Sequence, residues 1–191
     1  MKSVLLSTRP KWCEKICHGE KTIEVRKSAP KEVPFKAYIY CTKDRKNLLP
    51  IEHGKVLQKV NFWENTDAYY GFGKVIGEFI CNELEKFSVG SLRCDDIEKL
   101  ACLSYREMIN YFYKPEELDG KTSKMGYAWH ISDLKIYDKP KELSEFFAKC
   151  RISDKKCRLC NNCFEREDSY GRYYAVKKLT RPPQSWCYVQ E

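Results

Sequence analysis

No stretch of this sequence approaches the ~20 consecutive apolar residues that a membrane-spanning helix requires. The opening MKSVLLSTRPKW holds only a few apolar residues in a row before Arg9 and Pro10, too few for an export signal. Long repeats and low-complexity tracts are also missing. These absences exclude a helical membrane protein and a repeat array, and we expect a cytoplasmic protein with no membrane role. What is present suits a globular chain: 42% of the residues are apolar and 32% charged. A chain of 191 residues accommodates one domain with a sizeable insertion, or one domain plus a very small second one. Its core needs no covalent staples.

Cysteine is abundant, with 11 residues. Without an export signal a disulfide framework is not expected, because the cytosol keeps thiols reduced. Cys13, Cys17, Cys41, Cys81, Cys94 and Cys102 sit singly within apolar stretches and read as small buried hydrophobes. The net charge of +8 is unevenly spread. Residues 1–60 hold 14 Lys and Arg against 6 Asp and Glu; residues 61–150 hold 12 against 16; residues 151–191 hold 9 against 5. Positive ends around an acidic middle suit a polyanionic partner.

The element signals are short and mostly β. Lys2–Ser7 reads as a strand. Thr8 is placed to cap a helix with Pro10 in its first turn, carrying Trp12, Cys13, Ile16 and Cys17 on one face and ending at Gly19. Thr22–Arg26 and Phe35–Thr42 alternate as strands. Residues 43–73 read as an insertion, with a short helix near Glu52–Val60. Lys74–Glu83 is a strand with a bulge or close approach at Gly77. Helices are expected over Asp95–Ala101 and Ser104–Tyr113, the second opened by a Ser104/Glu107 capping box. Gly126–Tyr137 reads as a long strand or bent strand pair, Lys141–Ala148 as a short helix, and Gln184–Val189 as a closing strand. Many short strands with two or three peripheral helices predict an α+β fold built on a small mixed β-barrel.

One candidate site follows from strand alternation. Thr22, Glu24 and Arg26 point to one side, with Lys21 at the strand's mouth. A glutamate beside two cations holds both by charge-assisted hydrogen bonds, a group suited to a phosphate or a nucleobase edge. Lys21 and Glu24 are the candidate catalytic groups, since a buried lysine serves as nucleophile or base when its pKa falls. Ser7, Arg9 and Lys27 are expected to border the same cleft. Trp129, Ser132, Ser185 and Trp186, from YAWHIS and PPQSW, are candidates for stacking and polar contacts. The second candidate site is metallic. Cys157, Cys160 and Cys163 form a C-x2-C-x2-C run in a polar segment with too few apolar residues for a core of its own. Structural zinc takes about four thiolates in a tetrahedron. Cys150 is the expected fourth ligand and Cys187 the alternative.

The run LLSTRPKWCEKICHGEKTIEVR (Leu5–Arg26), followed by YIYCT, GKVIGEF, YAWHISDLKIYD and PPQSWCYV, resembles bacterial and phage proteins of the ASCH-domain family, PUA-like in fold. The resemblance implies a PUA-like barrel with a cleft, which we expect over residues 1–149 plus 181–191; residues 150–180 lie outside it and are expected, from their cysteine spacing, to form a zinc-binding insertion. It also implies a role in holding RNA or a modified nucleoside. Some small relatives share Gly-x-Lys-Thr-Ile-x-x-Arg and use the Lys, a following Thr and a distant Glu as an amidohydrolase site for an acylated cytidine. Lys21 matches the Lys, but Glu24 stands where that Thr belongs, and no Glu near residue 101 matches the third. The leading expectation is therefore binding of RNA or a nucleoside-type ligand in a basic cleft. An enzyme using that cleft, amidohydrolase or ribonuclease, is the second reading. A regulatory or prophage module that docks a protein partner through the Cys-rich segment is the third.

Overall fold

The computed structural model describes residues 1–44, 49–57, 69–89, 94–117, 123–149, 163–167 and 170–190. Fourteen strands and three α-helices are described among them. The chain opens with β1 (Lys2–Thr8), α1 (Pro10–Cys17), β2 (Ile23–Arg26) and β3 (Phe35–Cys41). A small group follows: β4 (Pro50–Glu52), β5 (Lys55–Val56) and β6 (Tyr69–Tyr70). Then come β7 (Val75–Cys81), β8 (Leu84–Ser88), α2 (Cys94–Ala101), α3 (Tyr105–Phe112), β9 (Met125–His130) and β10 (Ser132–Lys141). The chain closes with β11 (Phe147–Lys149), β12 (Cys163–Glu167), β13 (Tyr173–Lys178) and β14 (Trp186–Val189).

The central sheet runs β10-β7-β3-β1-β14, with β1 parallel to β3 and every other pair antiparallel. A second sheet runs β2-β9-β8. Only Ile131 separates β9 from β10, so the chain passes from one sheet to the other at that residue. Val4, Leu6, Phe35, Ile39 and Phe79 pack with Cys13 and Ile16 of α1 in the main core. Helices α2 and α3 cover the second sheet through Ile97, Ala101, Met108 and Phe112 against Ile23, Val25 and Ala128. The capping box at α3 is formed, Ser104 and Glu107 each bonding the other's backbone N–H. The expected barrel is corrected: the described strands lie in four separate sheets and do not close on themselves.

Three local expectations change. Arg9, not Thr8, is the N-cap of α1, because Thr8 is committed to the β1–β3 ladder opposite Cys41. Of the helix expected near Glu52–Val60, residues 52–57 belong instead to the β4–β5 hairpin, turned at His53 and Gly54 with φ of 47° and 70°, and residues 58–60 lie outside the described residues. The paired left-handed turn suits a two-residue hairpin loop, and Ile51 and Val56 are buried in the main core. The Lys141–Ala148 helix is reduced to one 3-10 turn at Leu143–Glu145, after which β11 pairs with β13. Gly77 meets its expectation of close approach, since a Cβ there would run into the Lys135 carbonyl oxygen.

Candidate functional site

Strand β2 is short and buried on both faces. Ile23 and Val25 face the helices, while Glu24 and Arg26 face the opposite side. There they form the floor of a cleft of about 820 Å³. Lys21, at the entry to β2, joins them. All three charged side chains are less than a tenth exposed.

Arg26 Nη2 is ion-paired with Glu24 Oε1 at 2.8 Å and donates to the Ser7 carbonyl at 2.7 Å and to the Thr8 hydroxyl at 3.4 Å. Its Nη1 reaches Ser185 Oγ at 3.3 Å. Lys21 Nζ donates to the Ala101 carbonyl at 2.8 Å, at the C-terminus of α2, where a cation complements the helix dipole. It stands 3.3 Å from Glu24 Oε2, out of hydrogen-bond alignment, so that oxygen has no hydrogen-bond partner among the described residues. Arg26 Nε is likewise unpartnered.

Three walls rise from this floor. The start of α1 contributes Arg9 and Trp12; α3 contributes Glu107, Asn110 and Tyr111; the 182–184 turn contributes Pro182, Pro183 and Gln184. Lys11 Nζ lies 4.4 Å from the Trp12 ring centre and Lys21 Nζ 5.5 Å from it. Lys11 also bridges to Glu107 at 3.1 Å, tying α1 to α3. The Ser104 backbone N–H and the Lys11 ammonium hold the Glu107 carboxyl below its usual range. The floor carries two cations against one anion, Arg9 adds a third cation, and Lys11 with Glu107 cancels, so the cleft is positive.

Comparison with known proteins bears on the fold. Crystal structures of an ASCH protein from Zymomonas mobilis align with all of this chain. The unmodified protein matches at TM-score 0.50, over 89% of its own length. Two single-residue variants match at 0.53, over 92% and 89% of theirs, and identity is 16% in each case. The fold is that of an ASCH domain. No protein-family model matches the sequence, and no curated protein matches it.

On this ASCH scaffold the expected residues divide. Ser7, Arg9, Lys21, Glu24 and Arg26 line the cleft, and Ser185 touches it through Arg26. Lys27 stands beside the mouth, its Nζ 3.5 Å from the Phe112 carbonyl and 5.2 Å from the Tyr111 ring centre. Three candidates do not line the cleft. Trp129 is fully buried, edge-on to Phe35 and Trp186. Trp186 is half-buried and spends its indole N–H on Ser28. Ser132 opens β10 opposite Ile80. Sequence reasoning missed Trp12, Asn110, Tyr111 and Gln184. Trp12 had a signal, since it adjoins Lys11 on the helix that leads to Lys21.

Burial favours the protonated form of the two α1 thiols. Burial, with Cys41 as hydrogen-bonding neighbour, pushes Cys13 well up, and burial pushes Cys17 up to about 12. Of the expected zinc ligands, Cys150, Cys157 and Cys160 lie outside the described residues. Cys163 begins β12, and Cys187 is half-buried beside the core.

Proposed function

We propose that the cleft binds RNA or a nucleoside- or nucleotide-type ligand on its cationic floor. The observation that carries this is the Lys21–Glu24–Arg26 group, buried in the fold and unfinished at the cleft. Removing three charges from water costs more than their mutual attraction usually returns, so such a group is a poor device for stability alone. Here Glu24 Oε2 and Arg26 Nε are left without hydrogen bonds among the described residues, beside a cleft in the ~300–1,000 Å³ range of small-ligand sites. Fluorescence anisotropy with single-stranded RNA tests it. Binding should weaken with salt, and Arg9→Ala, at an exposed position, should weaken it further without disturbing the fold. Salt-independent binding, or none, overturns the proposal.

The second reading, a hydrolase in the same cleft, rests on Lys21 and Glu24 lying 3.3 Å apart. Lys21 is engaged by the Ala101 carbonyl, and Glu24 brings a carboxylate where the related amidohydrolases use a hydroxyl. We expect no turnover of an acylated cytidine; turnover lost in Lys21→Met would reverse that order of preference.

A structural zinc on Cys157, Cys160 and Cys163, with Cys150 or Cys187, is proposed alongside. Its support is the cysteine spacing and the strand pairing at the base of this segment. Ala148 and Cys163 both pair with Lys177 from opposite sides, so the ends of the intervening chain are held about 10 Å apart, two strand spacings. Elemental analysis of chelator-free protein should find one zinc per chain; none sinks the idea.

A further inference from the structure

Resting on the nucleotide reading above, we propose that the cleft takes a single-stranded segment of at least two nucleotides, with the second base stacked on Tyr111. The cleft has two aromatic platforms on different helices, each with an ammonium beside it. Trp12 of α1 stands over the floor, close to the Nζ of Lys21. Tyr111 of α3 is 37% exposed at the rim, with the Lys27 ammonium 5.2 Å from its ring centre. Its neighbour Phe112 meets it edge-on at 5.0 Å and is itself buried, which fixes the tyrosine's place without consuming its outer surface.

A ring paired with a cation is what one nucleotide of a single strand asks for: a π-face for the base and a positive charge for its phosphate. A free nucleoside needs that once. This cleft offers it twice, and its 820 Å³ lies near the upper end of the volumes single small ligands occupy. The walls between the platforms carry the right unspent groups. Arg9, Asn110 and Gln184 line the cleft, are exposed, and make no side-chain hydrogen bond among the described residues. A guanidinium and two carboxamides between two stacking rings provide donors and acceptors for base edges and for the linking phosphate.

Calorimetry with three probe sets tests this: nucleoside 5′-monophosphates, nucleoside 3′,5′-bisphosphates, and 5′-phosphorylated homodinucleotides. The bisphosphates carry the second phosphate without the second base. We expect the dinucleotides to bind about tenfold more tightly than the bisphosphates, within the range of one base stack. Tyr111→Ala should abolish that gain while changing monophosphate affinity less than about twofold. Lys27→Ala should weaken bisphosphates and dinucleotides alike. If monophosphates bind and dinucleotides gain nothing over bisphosphates, the second base site does not exist. The same conclusion holds if Tyr111→Ala weakens all three sets equally. Absence of binding by every probe overturns the nucleotide reading itself, a result distinct from loss of the dinucleotide gain alone.

Discussion

Two carboxylates in this fold are each flanked by a lysine, and they behave oppositely. Glu78, on β7, accepts hydrogen bonds from Lys36 of β3 and Tyr137 of β10. It sits about one-fifth exposed on the central sheet, with each oxygen taken. Burial pushes its carboxyl up, but the bonds from Tyr137 and Lys36 outweigh that and hold it below the usual range. Glu24 is more deeply buried, faces two cations, and still leaves one oxygen without a hydrogen bond. The first cluster is complete as it stands. The second has burial without completion, which leaves hydrogen-bonding capacity unspent at the cleft.

The sharpest way to break this comparison is to remove each carboxylate. Glu24→Leu strands Lys21 and Arg26 as buried cations and should cost about 3–5 kcal/mol in urea denaturation. Glu78→Leu should cost about 1–2 kcal/mol, since Lys36 turns to water and only the Tyr137 hydroxyl loses its acceptor. Equal losses would erase the distinction. Next, the two lysines should differ in binding. Lys21→Met should lower RNA affinity about tenfold and reduce the salt slope of log K by about 0.7, with circular dichroism checking that α2 persists. Lys36→Met should change neither.

A smaller effect is expected in acid. The folded-state pKa of Glu78 lies below its unfolded value of about 4.3, so its stabilising contribution is present above that pH and fades as the pH falls through the folded value. Glu78→Gln should therefore lose less stability than the parent between about pH 5 and pH 3, measured by thermal melts. The smallest change belongs to the exposed Lys11–Glu107 bridge, where Lys11→Ala should shift stability by less than about 1 kcal/mol.

Much of this was legible in the sequence where the signal is local. The alternation of β2 placed Glu24 and Arg26 on one face, and the Ser104/Glu107 spacing announced the start of α3. Signals failed where partners are distant in sequence. Alternation put Trp129 on one side of β9 but not which side is core; its cross-strand partner is Glu24, and the space beyond is filled by Phe35 and Trp186. The 141–148 stretch has helical spacing, yet pairing with β13, some thirty residues later, wins from Phe147 onward. Tyr111 was invisible as a rim residue because only the docking of α3 beside β2 brings it to the cleft.

Arg26 draws together segments that lie far apart along the chain. Its guanidinium touches Ser7 and Thr8 at the end of β1, Glu24 of its own strand, and Ser185 just before β14. Ser185 lies 159 residues after Arg26, so it is the last of these partners to be made. A partly made chain can build β1, α1 and β2 and still lack one edge of the cleft. The cleft is therefore complete only after the 182–185 segment has been made and has docked beside Arg26.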